Sequence, residues 1–341
     1  MEQVELDRYE VGGILGAGAD YEVRSALDRE TGAQVVLKRP KPQMVRRRLH
    51  QATDARTDRI IQTFQELGAA VPQVSPILGY TQRHNHDAYF GEDLGQEYRV
   101  MVEERARGIP LVGDPMARIT GVPIGAAQNL FALFPLAHPA GRSPFAIQEQ
   151  LLDLEEAFFQ AGYILLDLRP QNVFYQPGAG RITVIDCGDL VTPSGAADVR
   201  GRRRDIHDFF LEILKFYTTP QTPPAQASGY RDAYGLRPVV RFEEELDQLA
   251  RSFGNVPDPA RNPALYVVAK VRDRGYTAVD QFRKDLTVYL EAVRIRNRKL
   301  ANWAEAWQAW SEALGWLRGE HWRRYLFDPD TELAGLASPP E

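Results

Sequence analysis

Cysteine is nearly absent from this chain, which has one cysteine, Cys187, in 341 residues. A single cysteine excludes a framework of disulfides within the chain and is typical of proteins from a reducing compartment. Long apolar runs are also missing, and none approaches the roughly 20 residues that a membrane helix needs. The acidic N-terminal residues lack the apolar stretch of a signal peptide. We therefore expect a cytoplasmic protein with no membrane partner.

An excess of charge of one sign is missing as well. The formal net charge is -5, and 26% of the residues are charged. This balance gives no reason to expect nucleic acid or an anionic membrane surface as a partner. The hydrophobic share of 44% is ordinary for a globular protein, and the length of 341 residues allows two or three compact units.

The most informative stretch, residues 162–190, has the sequence GYILLDLRPQNVFYQPGAGRITVIDCGDL. Asp167 is followed five residues later by Asn172, and a further aspartate, Asp186, comes after two short apolar runs. The runs Val173–Tyr175 and Arg181–Ile185 predict two strands, and the proline and glycines between them predict a hairpin turn.

Three alternating apolar runs near the N-terminus predict a small antiparallel meander. The runs are Tyr9–Leu15, Tyr21–Leu27 and Gln34–Lys38, and the segment GAGAD joins the first two. Because side chains alternate along a strand, Val35 and Leu37 should face one side of the sheet and Lys38 the other.

Together these motifs resemble those of the protein kinases. The catalytic loop of that family, H-R-D-L-K-P-x-N, is similar to LLDLRPQN, and its metal-binding D-F-G is similar to DCG. Its glycine-rich loop is similar to LGAGADYEV, and the strand that carries its third-strand lysine is similar to VVLK. The resemblance spans about residues 9–217. It implies an α+β protein with a bilobal protein kinase-like fold, in which an antiparallel N-lobe sheet with one main helix precedes a mainly helical C-lobe. It also implies ATP and Mg²⁺ as cofactors.

The resemblance implies a role for each matched residue. Asp167 would accept the proton of the substrate hydroxyl, and Asn172 and Asp186 would hold Mg²⁺. Lys38 and Arg169 would contact the phosphates, and Gly16 and Gly18 would form the loop over them. Val23 would lie over the adenine. Glu103 and Arg105 would belong to the hinge, with Val102 as gatekeeper. Each residue also has a structural explanation, such as a turn cap for Asp167. The joint occurrence of Lys38, Asp167, Asn172 and Asp186 in this order favours the kinase interpretation.

The partner of the lysine is the first departure from the kinase pattern. In that family a helix after the third strand supplies a glutamate, and residues 42–67 predict one or two helices here. No glutamate stands at the usual interval after Lys38. Asp58 is therefore the best candidate for its partner, with Asp54 and Glu66 as alternatives.

Four further departures concern the loops. Tyr21 replaces the third loop glycine, which predicts a bulkier loop tip, and Leu166 replaces the arginine before the catalytic aspartate. Cys187 replaces the phenylalanine of D-F-G, and we interpret it as a small buried residue, with an accessible thiol as the alternative. Only 18 residues separate Asp186 from Asp205, the aspartate expected to be structural at the start of the next helix, and no A-P-E sequence lies between them.

The expected domain organisation follows from these assignments. Residues 1–105 would form the kinase N-lobe with its glycine-rich loop, and residues 106–300 the C-lobe with the catalytic loop. Further predicted features are an insertion at 113–144, helices at 145–161, 205–217, 242–253 and 278–296, a Trp-rich helical extension at 301–327 and a tail at 328–341. A polar tip with the sequence His84-Asn85-His86-Asp87 is expected to be solvated.

The function predicted from these features is an ATP-dependent kinase that phosphorylates serine or threonine in a protein substrate. The alternatives are a small-molecule kinase of the same superfamily, which the short segment after Asp186 favours, and a nucleotide-binding pseudokinase that acts as a scaffold. A partner could dock on the insertion or on the C-terminal helices.

Overall fold

The computed structural model describes residues 2–18, 20–48, 50–67, 70–110, 146–166, 168, 172–176, 179–187, 190–193, 204–217, 242–254 and 262–298. These residues form a mixed α and β structure with a six-stranded sheet and several helices, which confirms the α+β class. The chain divides into two compact units. Unit 1 comprises residues 1–106 and 185–188, and unit 2 comprises residues 107–184 and 189–341.

A six-stranded sheet forms the body of unit 1. Its strands are β1 (Glu2–Gln3), β2 (Tyr9–Ala17), β3 (Tyr21–Asp28), β4 (Gln34–Pro40), β5 (Ile77–Tyr80) and β6 (Met101–Glu104), in the spatial order β1-β5-β6-β4-β3-β2. β1 and β5 are parallel, and all other neighbours are antiparallel. The predicted meander is confirmed as β2, β3 and β4.

The two faces of the sheet of unit 1 pack against different parts of the chain. On one face Val35, Leu37 and Val102 belong to a buried cluster with Tyr98. The other face contacts helix α2 (Gln51–Leu67), whose residues Ile60 and Ile61 pack against Met101 of β6. Val35 and Leu37 therefore lie on the same side, as the alternation predicts. A short helix, α1 (Pro42–Arg46), precedes α2.

The polar tip between β5 and β6 is exposed at His84 and Asn85, as predicted, but His86 and Asp87 are buried, so for these two the prediction of a solvated tip is wrong. It contains a short helix, α3 (Asp87–Phe90). The Asp87 carboxylate accepts hydrogen bonds from the backbone N–H groups of Leu94 and Gly95, at 2.7 and 2.9 Å. The His86 ring lies 2.9 Å from the Thr81 hydroxyl. These bonds satisfy polar groups that would otherwise be buried without partners.

Arg39 of β4 is the most buried cation among the described residues of unit 1, with a side chain that is 0% exposed. Its guanidinium donates to the Glu22 carboxylate at 2.7 Å and lies 4.1 Å from the ring centroid of Phe90. A second carboxylate, that of Glu92, lies 3.4 Å away. A buried guanidinium persists only where it is paired, so this cluster ties β4 to β3 and to the segment before β6.

Unit 2 contains short strands and most of the helices. Its strands are β7 (Ile109–Pro110), β8 (Ile164–Leu165), β9 (Val173–Gln176), β10 (Arg181–Val184) and β11 (Leu190–Val191), and its helices are α4 (Ala146–Gln160), α5 (Ile206–Tyr217), α6 (Phe242–Ser252), α7 (Pro263–Arg272) and α8 (Val279–Arg298). β9 and β10 pair in register, which confirms the predicted hairpin. β8 pairs with β11. The predicted helices that correspond to α4, α5, α6 and α8 are confirmed within a few residues.

Asp205 has the structural role that was expected of it. Its carboxylate accepts the backbone N–H of His207 at 2.9 Å, and Asp208 accepts the N–H of Asp205 at the same distance. This reciprocal arrangement caps the start of α5. Asp205 also forms an ion pair with Arg274, which follows α7.

Helix α7 is the one helix of unit 2, within the described residues, that the sequence analysis missed. Asn262 is its N-cap and accepts the N–H of Ala264 at 3.1 Å, and Pro263 occupies the first helical position. This Asn-Pro pair is a helix-start signal that could have found it.

Some predicted features lie outside the described residues. They are the insertion at 113–144, the Trp-rich extension at 301–327 and the tail at 328–341. Among the described helices, none combines the length and the apolar character needed to cross a membrane.

We predict that Arg39→Leu lowers the free energy of unfolding by about 3 kcal/mol, because it leaves the carboxylate of Glu22 buried without its main partner. The measurement is denaturant unfolding followed by circular dichroism. Arg46→Leu is the matched control, since Arg46 contacts the same Glu92 at 3.1 Å but is 58% exposed. The control should change stability by less than about 1 kcal/mol. Equal losses in the two variants would contradict this view of the buried cluster.

Candidate functional site

Three of the predicted nucleotide-binding residues form one row across neighbouring strands. Gly16 of β2 is opposite Val23 of β3, and Val23 is opposite Lys38 of β4. Directly opposed residues of antiparallel strands point to the same face of a sheet. The register therefore places the apolar side chain of Val23 beside Lys38, next to the turn that contains Gly18.

Packing within the described residues does not require a glycine at position 16, near the end of β2, or at position 18, in the turn. A Cβ atom built on Gly16 or Gly18 meets no described atom within 4 Å. Neither glycine has a positive φ angle. Gly12 differs, because a Cβ there would lie 2.5 Å from the Ser25 hydroxyl. The bare backbone at positions 16 and 18 is therefore free to approach a ligand.

Lys38 forms a buried ion pair with Glu103. The Lys38 Nζ atom lies 2.9 Å from a carboxylate oxygen of Glu103, and both side chains are less than a tenth exposed. Burial disfavours the charged ammonium, but the carboxylates of Glu103 and Asp186 outweigh it and raise the pKa of Lys38 above its usual value. Lys38 is thus a fixed cation on the sheet.

The predicted partners of Lys38 on helix α2 are wrong. Asp58 lies 2.9 Å from Arg99. Asp54 accepts from Arg83 at 3.0 Å, and Glu66 accepts from Gln62 at 3.1 Å. Helix α2 therefore directs its carboxylates to arginines and an amide rather than to the lysine.

The prediction of Val102 as gatekeeper is wrong for a related reason. Val102 is opposite Leu37 and belongs to the buried cluster on the far side of the sheet from Lys38. The next residue, Glu103, is opposite Val36, which shares the face of Lys38. Glu103 therefore presents its carboxylate to the lysine, a role that the sequence analysis did not assign to it.

Tyr21 does not occupy the tip of the loop, contrary to the prediction. It is the first residue of β3 and is 8% exposed. Its hydroxyl lies 2.8 Å from the Thr57 hydroxyl and donates to the backbone oxygen of Thr53 at 3.2 Å, both in α2. Burial raises the pKa of Tyr21 to about 12. The tyrosine thus attaches the C-terminal side of the turn to α2.

Asp186 belongs to unit 1 together with Lys38, although 147 residues lie between them in the sequence. Its charge is close enough to raise the pKa of Lys38. Its backbone is left-handed, with φ of 62°. A non-glycine residue in this region is strained, and such strain is concentrated at functional sites. Cys187 beside it is 5% exposed, which agrees with a small buried residue rather than an accessible thiol.

The remaining predicted site residues are described only in part. Asn172 is half-buried and directly precedes β9 in unit 2. Asp167 and Arg169 lie outside the described residues. Arg105 follows β6 and donates to the Gln34 side chain at 2.5 Å, so its side chain contacts the sheet edge.

The side chains of Asp186 in unit 1 and of Asn172 in unit 2 are, each taken by itself, of a type that binds Mg²⁺. Asp186 offers a carboxylate and Asn172 an amide oxygen, and both are hard ligands. Among the described residues, no group of three or more histidine, cysteine or acidic side chains could hold an ion. Magnesium is usually held by one or two carboxylates together with substrate phosphates, so a dedicated protein cage is not required.

Glu155 of α4 is a buried acid that the sequence analysis missed. It is 0% exposed, and one of its carboxyl oxygens accepts the backbone N–H of Leu165 in β8 at 3.1 Å. The other oxygen is buried and has no hydrogen-bond partner among the described atoms. Burial raises the pKa of Glu155 well above its usual value, although the Leu165 N–H partly opposes this. Glu155 therefore connects α4 to the strand that leads to position 167.

No protein-family model matches the chain, and no curated protein matches it. Its family is therefore not shown by similarity.

We predict that Glu155→Gln becomes stabilising relative to the natural chain as the pH rises from 5 to 8. Because the folded-state pKa is raised, the natural chain loses stability above the unfolded-state pKa of about 4.3, by up to about 1.4 kcal/mol per pH unit until the folded-state pKa is reached. Glutamine does not ionise, so position 155 adds no such pH dependence to the stability of the variant. The measurement is the melting temperature at several pH values. Glu156→Gln, on the same helix and 42% exposed, is the control and should run parallel to the natural chain. A parallel curve for Glu155→Gln would show that Glu155 is ionised in the fold.

Proposed function

We propose that this protein is an ATP-dependent phosphotransferase that moves the γ-phosphate of ATP to a hydroxyl group, with a serine or threonine of a protein as the acceptor. The supporting observation is the row of Gly16, Val23 and Lys38 across three adjacent strands, with the charge of Asp186 near enough to raise the pKa of the lysine. A bare turn, an apolar side chain and a fixed cation in one row suit the phosphates and the base of a nucleotide.

Each residue has a role in this proposal. The Lys38 ammonium has three N–H donors, of which Glu103 needs one, so the others can meet phosphate oxygens. Asp186 and Asn172 would hold Mg²⁺, which when bound neutralises charge on the phosphates. Asp167 would accept the proton of the attacking hydroxyl, and Arg169 would steady the γ-phosphate. Phosphoryl transfer depends mainly on such positioning and charge neutralisation.

A small-molecule acceptor is the second candidate. Only four residues after Asp186, the chain enters β11, where Leu190 is opposite Leu165. With α5 starting at Ile206, little chain remains to build a platform for a peptide. The order of the glycine turn and the strand lysine along the sequence favours a protein kinase over a small-molecule kinase. A pseudokinase scaffold is disfavoured by the retention of Lys38, Asp167, Asn172 and Asp186 in the sequence.

We predict that ATP raises the melting temperature of the protein only when Mg²⁺ is present. A ligand that binds the native state alone stabilises it by about 2.7 kcal/mol at 100 times its dissociation constant. The measurement is a thermal-shift titration with ATP, with and without Mg²⁺, followed by an assay with labelled ATP and generic protein substrates. No shift at millimolar nucleotide would remove the basis of the proposal.

We predict different effects for two carboxylate-to-amide changes. Asp186→Asn should weaken Mg-ATP binding, because Asp186 neutralises charge in the ground state, while Asp167→Asn should leave binding nearly intact and abolish turnover. Asparagine tolerates the left-handed backbone of position 186, so the first change tests charge rather than conformation. Asp280→Asn, at a side chain that is 80% exposed, is the control for both measurements. Equal loss of binding in the first two variants would show that the roles are assigned wrongly.

A further inference from the structure

The carboxylates in the first half of helix α2 are directed to one neighbouring segment. Asp54 and Asp58 lie one helical turn apart, and they pair with Arg83 and Arg99 respectively. Both arginines belong to the chain between β5 and β6. These ion pairs attach α2 to that segment and leave neither aspartate with Lys38 as its partner.

The same part of α2 holds the glycine-containing turn. The Tyr21 hydroxyl contacts Thr57 and the backbone oxygen of Thr53. Arg56 forms an ion pair with Asp20, the last residue of the turn. Three positions of the helix, at Thr53, Arg56 and Thr57, therefore bind the two residues at the junction of the turn with β3.

The partner of Lys38 comes from within the sheet instead. β4 and β6 are hydrogen-bonded neighbours, and Leu37 is opposite Val102. The residues on either side of this pair, Lys38 and Glu103, are thus held at a distance that the backbone ladder sets. Their 2.9 Å contact needs no contribution from a helix.

We infer that Glu103 is the positioning residue of Lys38 and that α2 instead holds Asp20 and Tyr21, where the glycine-containing turn leads into β3. The inference rests on the proposed phosphotransfer, and it deepens that proposal by naming how the site is controlled. A lysine whose partner sits on the adjacent strand is aligned whenever the sheet is formed. Activation of this protein therefore does not require α2 to move toward Lys38.

The test compares two carboxylates with the same chemical change. Glu103→Gln keeps the volume and removes the charge, and we expect kcat to fall about 100-fold with a smaller change in KM for ATP, because a misplaced lysine fails to align the phosphate. Glu103→Asp retains the charge and should recover part of kcat. Asp58→Asn should stay within about twofold of the natural chain, since Asp58 does not contact the lysine.

A double-mutant cycle separates positioning from a general structural role. In a Lys38→Met background, Glu103→Gln should have little further effect on kcat, because its target is gone. If the two changes act independently, or if Asp58→Asn lowers kcat as much as Glu103→Gln, the inference is wrong. Should Glu103→Gln fail to fold, the comparison of Glu103→Asp with Asp58→Asn decides in the same way. If the natural chain shows no Mg-dependent binding of ATP, the proposed function itself is wrong.

Discussion

Two adjacent cations of one strand constrain the sheet of unit 1. Lys38 and Arg39 are consecutive in β4 and therefore point to opposite faces, yet both are buried. Each has its own carboxylate, Glu103 on β6 and Glu22 on β3. A slip of one residue would exchange the faces and leave two buried charges without partners, which costs several kcal/mol for each ion. The register that aligns Gly16, Val23 and Lys38 is thus enforced by charge as well as by apolar packing.

Much of the fold could be predicted from local patterns. The alternation from Tyr9 to Lys38 and the proline and glycines after Gln176 specify strands and turns over short distances, and the structure confirms the meander and the hairpin. Sequence alone also identified Lys38 and Asp186 as candidates for one site. Their proximity follows from two distant segments that pack in one unit, which no local pattern shows.

The errors concern contacts between segments that are far apart in sequence. Glu103 was assigned to a hinge through the kinase resemblance, but the alternation of Tyr98, Val100 and Val102 places it on the opposite face from those residues. That signal was in the sequence and was not used. The burial of Asp87 could not be predicted in this way, since a short polar segment is solvated unless backbone N–H groups elsewhere in the fold bind it.

Unit 1 consists of two separate segments of the chain, which affects how it can be isolated or exchanged between proteins. Residues 185–188 belong to it, so the chain passes between the two units three times, after residues 106, 184 and 188. A fragment that ends at residue 106 would keep the sheet, the glycine turn and Lys38 but would lack Asp186. The unit therefore cannot be transferred as a linear cassette, by recombination or by cloning, without losing one of its charged groups.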